Sequence, residues 1–126
     1  MTYTKSSTHS MEQIEQRLRD AAQRHKFGVL NVLDLKQTLH SKGIELGREC
    51  RILDVCNPQA ASKALQHDMK ASAVLPCRIS VFTEGDHCMI ATVQPTDLMK
   101  ATGLAGVEPL AAEIQREIVA IIDEAA

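Results

Sequence analysis

Aromatic residues are scarce: the chain has no tryptophan, one tyrosine (Tyr3) and two phenylalanines (Phe27 and Phe82) among 126 residues. No row of stacking platforms of the kind single-strand binders use can be built from these, and the core must be aliphatic. Charge of one sign is lacking too. Fourteen Lys and Arg against 16 Asp and Glu leave a formal net charge of -2, which supplies no field to draw the chain onto phosphate or an anionic membrane. Neither nucleic acid nor a membrane is an expected partner.

No stretch approaches the roughly 18 consecutive apolar residues of a spanning helix, and residues 1–10 carry no apolar run that could act as a secretory h-region. The expectation is a soluble, cytoplasmic protein whose four cysteines stay reduced. There is no C-x-x-C pair, and five residues separate Cys50 from Cys56, so neither a zinc knuckle nor a thioredoxin motif is present. The histidines His9, His25, His40, His67 and His87 form no H-x-x-x-H or H-E-x-x-H arrangement, which removes metalloprotease chemistry. Gly103-Leu104-Ala105-Gly106 lacks the lysine and the strand-turn-helix setting of a phosphate loop and reads as a link. No internal repeat is present.

What remains is one domain's worth of aliphatic chain, 44% hydrophobic and 24% charged. Residues 1–10 read as an N-terminal segment with room for a short edge strand, and residues 11–126 as a single domain. Ser10 and Gln13 form a capping box for a helix with Ile14, Leu18, Ala21 and Ala22 on one stripe. Phe27 to Leu33 is nearly continuously apolar and reads as a strand covered on both faces. Asp34 caps a short helix that Gly43 can close. Arg51 to Cys56 is a further strand, and Asn57-Pro58 starts a helix reaching about His67. After a loop over 69–75, Cys77 to Thr83 alternates as a half-buried strand, and His87 to Val93 returns as its hairpin partner. A helical turn over 96–101 precedes a long helix opened by Pro109, with Leu110, Ile114, Ile118, Ile121 and Ile122 on its stripe. The expected fold is α+β, a two-layer single domain with helices on a mixed β-sheet, in the order (β)-α-β-α-β-α-β-β-α-α.

Two thiols sit at suggestive places. Cys56 lies where a strand meets a Pro-started helix, so its sulfur could feel first-turn amides and the helix dipole, which favour thiolate. Cys77 shares a strand face with Ile79 and Val81, a packing environment. If neighbouring antiparallel strands carry them, the two thiols meet as a redox pair, a sulfur-handling site or ligands for a soft ion, with His67 as a further ligand. The competing reading leaves both as structural residues of a homodimeric domain that binds a small molecule. No cofactor is expected beyond such a soft ion, and the balance leans away from an enzyme. A Cys56–histidine nucleophile pair is a third reading.

Three stretches carry a resemblance: Phe27-Gly28-Val29-Leu30 with Asp34-Leu35; Ile52-Leu53 through Val55-Cys56-Asn57-Pro58 with Ala60 or Ala61; and Leu75-Pro76-Cys77 with Ile79 and Val81. In this order, over about residues 11 to 100, they resemble the family catalogued as domain of unknown function 302. The resemblance implies a compact domain with helices on a mixed sheet, a homodimer, and no established activity. It points to Cys56, Asn57, Pro58, Pro76 and Cys77 as the positions to watch. The chain departs from the family pattern at Arg78, where Asn is usual, at Asp54, where Gly is common, and at Cys50, near an aromatic position. Arg78 is the residue that could stabilise a nearby thiolate or an anionic ligand.

Overall fold

A computed structural model describes residues 1–126. The Ser10 hydroxyl accepts a hydrogen bond from the Gln13 amide at 3.2 Å, and the Gln13 side chain accepts from the Ser10 amide at 2.9 Å. This reciprocal cap starts α1 (Met11–Arg24), whose buried residues Ile14, Leu18, Ala21 and Ala22 fall on one stripe. Lys26 takes a positive φ of 63°, turning the chain into β2 (Gly28–Asp34). Asp34 caps α2 (Leu35–His40) by accepting from the Gln37 amide. β3 (Cys50–Cys56) leads through the Asn57 cap into α3 (Pro58–His67). A 3-10 turn (Met69–Ala73) occupies the expected loop. The hairpin of β4 (Cys77–Glu84) and β5 (His87–Val93) turns at Gly85. α4 (Pro95–Thr102) ends on a left-handed Gly103, and α5 (Glu108–Ala125) completes the chain.

The N-terminal residues Thr2–Ser7 form β1, an edge strand paired with β5. The order across the sheet is β1-β5-β4-β3-β2, and every neighbouring pair is antiparallel. The α+β class and the element order are as read from the sequence; the sheet is not mixed in strand direction. The helices between β2 and β3 and between β3 and β4 act as reversals rather than parallel crossovers. The second difference concerns β2. It is an edge strand, not one covered on both faces, and Leu30 and Leu33 are 64% and 38% exposed. A continuous apolar run does not distinguish a doubly covered strand from one whose second face is open.

One sheet face carries Leu53, Val55, Cys77, Ile79, Val81 and Ile90, which pack with the stripes of α1 and α5 into the main core. The other face carries Ile52, Ser80, Phe82, Met89 and Ala91, brought into adjacent register by the pairing and left only half-buried. The two-layer architecture thus leaves this sheet face uncovered by α1 and α5, while the short α2 lies against β2 and β3.

His25 ties the end of α1 to α5. Its Nδ1 meets the Glu117 carboxylate and its Nε2 meets the Glu124 carboxylate, which also pairs with Arg24 at 3.1 Å. Both ring nitrogens must donate, so the ring is an imidazolium. Hydrogen bonds from Glu124 first and Glu117 second raise its pKa above the ordinary value, against a smaller opposing effect of burial. A raised folded-state pKa gives stability that is complete below the unfolded value of about 6.5 and is lost as pH rises through the folded value. Thermal melts should therefore place wild type a few degrees above His25→Gln in mild acid. That difference should shrink toward zero as pH rises above neutrality; a constant difference would contradict the charged staple.

Candidate functional site

β3 ends and β4 begins at the same end of the sheet, and Val55 faces Cys77 in register. Cys56 and Cys77 consequently line one space, with Phe27, Ala60, Leu75 and Ile114 around them. The two thiols are brought together, as antiparallel neighbours should bring them. The space holds only about 10 Å³, the threshold for a single water molecule. Burial pushes the Cys77 thiol up to about 11, and the neighbouring Cys56 adds to that rise. Burial likewise raises the Cys56 thiol.

The helix start offers the Cys56 sulfur few free donors. Pro58 has no amide hydrogen to offer, and the Asn57 side chain takes the Ala60 amide at 3.1 Å. Asn57 and Pro58 are therefore fully used as cap and first helical residue. Cys50 and Cys88 are raised by burial as well, so no thiol in the chain is shifted toward thiolate. His67 does not join the thiols: its Nε2 donates to the Ala105 carbonyl, and no histidine lines the thiol space. No three or more His, Cys, Asp or Glu side chains converge in a way that could hold a metal ion. Cys56, Cys77 and His67 are thus not a preformed ligand set, nor does Cys56 have a histidine base.

A larger cleft lies at the same end of the molecule. It measures about 370 Å³ and is lined by Asp54, Val74, Pro76, Arg78, Val93 and Leu98 among others. The Leu75–Pro76 peptide at its wall is cis. The buried Thr92 hydroxyl donates to the Arg78 carbonyl at 2.7 Å, anchoring the start of β4 to β5. Asp54 and Arg78 are cross-strand partners, with Arg78 Nε 3.6 Å from Asp54 Oδ1. Because neighbours along a strand point to opposite faces, Arg78 stands on the open face and Cys77 on the core face. Arg78 is therefore set to meet an anion in the cleft rather than the Cys77 thiol. The sequence marked Asp54 and Arg78 as departures; it did not reveal that Val74, Val93 and Leu98 would close walls around them, since those residues come from three separate segments.

A family model described as domain of unknown function DUF302 matches residues 3–125. The chain belongs to the DUF302 family. The same fold is seen in the crystal structure of an uncharacterized conserved DUF302 protein from Bacillus stearothermophilus, with 28% sequence identity and a TM-score of 0.95 over 99% of this chain and 98% of that one. No curated protein matches the sequence. The family motifs occupy the described end of the sheet: the Cys56-Asn57-Pro58 turn and the Leu75-Pro76-Cys77 strand start bound the thiol space, and Pro76 and Cys77 also line the cleft. No helix of this DUF302 domain is long and apolar enough to cross a membrane.

Proposed function

We propose that this DUF302 domain is a homodimeric small-molecule-binding protein in which Cys56 and Cys77 are packing residues. The single observation that carries the reading is the contrast between two neighbouring spaces. The thiol space has about 10 Å³ and raised thiol pKa values, whereas the adjoining cleft has about 370 Å³, apolar walls and one opposed charge pair. Ligand sites are of that second kind, concave and largely apolar with a few placed polar groups, and 370 Å³ falls at the smaller end of their range.

Pairing of two copies rests on the part of this sheet face away from Asp54 and Arg78, which line the cleft. Five strands at about 4.8 Å spacing and seven residues at about 3.4 Å give roughly 500 Å² in plan. Counted over both copies that is roughly 1,000 Å², at the lower end of specific interfaces. The face carries Ile52, Phe82, Met89 and Ala91 around Ser80, with Thr4, Ser6, Asn31, Asp54 and Arg78 toward its border. An apolar core within a polar rim suits a twofold contact with a second copy of the chain.

The binding reading is tested with the apolar sulfonate dye 1-anilinonaphthalene-8-sulfonate. Wild type and Cys56→Ser, whose side chain lies outside the cleft, should bind it with equal affinity. Val93→Trp, which fills the cleft from its 43% exposed wall, should lose binding by about tenfold or more, the equivalent of roughly 1.4 kcal/mol. Loss of binding in Cys56→Ser with retention in Val93→Trp would return the function to the thiols.

A further inference from the structure

The chemistry of the cleft also specifies what it takes, an inference that rests on the binding reading above. Arg78 is the only cation lining the cleft, and its side chain is 76% exposed. Its Nε lies 3.6 Å from Asp54 Oδ1, an ion-pair distance beyond hydrogen-bond range. The edge formed by the two terminal nitrogens has no partner. That edge is the fork that receives a carboxylate through two parallel N–H···O bonds. Asp54, with its side chain only 24% exposed, holds one side of the guanidinium and leaves a net charge near zero at the mouth. Because the pair sums to near zero, a dianion such as a phosphate monoester gains little net attraction to offset its larger desolvation cost, a cost that is smaller for a single carboxylate. Behind the pair, Val74, Pro76, Val93 and Leu98 offer an apolar wall for the body of the ligand.

We propose that the cleft binds a small monocarboxylate with an apolar body, the carboxylate seated on the terminal nitrogens of Arg78 and the body against Val93 and Leu98. Asp54 acts as the selectivity element, orienting Arg78 and excluding doubly charged anions.

The test uses the whole protein and a matched six-carbon series of hexanoate, hexanol, hexylamine and hexyl phosphate, followed by amide chemical shifts and by thermal shift. Hexanoate should perturb the amides of Arg78, Val93 and Leu98 and raise the melting temperature, with the other three at least about tenfold weaker. Arg78→Gln should weaken hexanoate by about tenfold or more, a factor equal to roughly 1.4 kcal/mol. Asp54→Asn keeps an acceptor beside Nε and removes its charge, so it should narrow the preference for hexanoate over hexyl phosphate. If hexanol or hexylamine binds as well as hexanoate and Val93→Trp abolishes it, the carboxylate inference falls and the cleft remains a binding site. Hexanoate binding unchanged by Arg78→Gln overturns the inference in the same way. If no member of the series binds, or binding survives Val93→Trp, both the inference and the binding reading fall.

Discussion

Replacing Phe82 by aspartate is expected to convert the protein from dimer to monomer. Phe82 stands toward the end of β4, the central strand, on the face opposite α1 and α5, with Cys50 and Met89 beside it in register. Arg48 lies over its ring, 5.9 Å from the centroid, so one side of the ring is engaged within the chain and the rest faces outward. A carboxylate there would be stripped of water by a second copy, with its own chain's Arg48, already shared with Glu84 at 3.7 Å, as the one cation beside it. Such a cost weakens association by several kcal/mol, on the order of a hundredfold or more in affinity. The fold should survive, since Phe82 contributes nothing to the main core between sheet and helices. Sedimentation velocity at micromolar concentration reads the outcome: dimer mass for wild type, monomer mass with native circular dichroism for Phe82→Asp. A wild-type monomer, or a Phe82→Asp dimer, would remove this face as the interface.

The second large effect is expected at Gly106. Its φ is +82°, and a Cβ built there would stand 2.6 Å from Cε1 and Nε2 of His67. Alanine therefore incurs two separate penalties. The left-handed conformation costs a residue with a Cβ about 1–2 kcal/mol. The methyl group also displaces the imidazole and breaks its hydrogen bond to the Ala105 carbonyl, which adds about 1 kcal/mol. Gly106→Ala should thus lower unfolding stability by about 2–3 kcal/mol, a large share of the roughly 5–15 kcal/mol typical of a domain. In a His67→Ala background the same substitution should cost only the backbone part. Equal costs in the two backgrounds, measured by urea denaturation, would show that the ring and the glycine do not interact.

How much of this was legible in the sequence depends on the range of the interaction concerned. Ser10 with Gln13, Asp34 with Gln37 and Asn57 with Pro58 are local signals, and each appears as a helix start where its spacing places it. The Cys77 to Val93 hairpin is legible for the same reason, because alternation and a turn are both short-range. Strand direction is not local. Nothing within Phe27 to Leu33 states that β2 would take the sheet edge or that β3 would run antiparallel to both neighbours. The thiol space was legible in part: the motifs placed Cys56 and Cys77 at one end of the sheet, whereas the burial that raises both thiols comes from the tertiary packing around them. The cleft was hidden, since its walls come from the 3-10 turn, the end of β5 and α4, which meet only in three dimensions.

The central claim, that Cys56 and Cys77 pack while the neighbouring cleft binds, is tested most directly by thiol reactivity in the native state. Iodoacetamide labelling followed by mass spectrometry, over a series from about pH 6 to pH 9, reports each cysteine separately. Cys77, at 8% exposure and with its thiol pushed to about 11, should stay unlabelled until the protein is unfolded with urea, and Cys56 should react more slowly than a free thiol throughout. Rapid labelling of both cysteines in the folded protein below about pH 7 would contradict the claim and make the pair the working site.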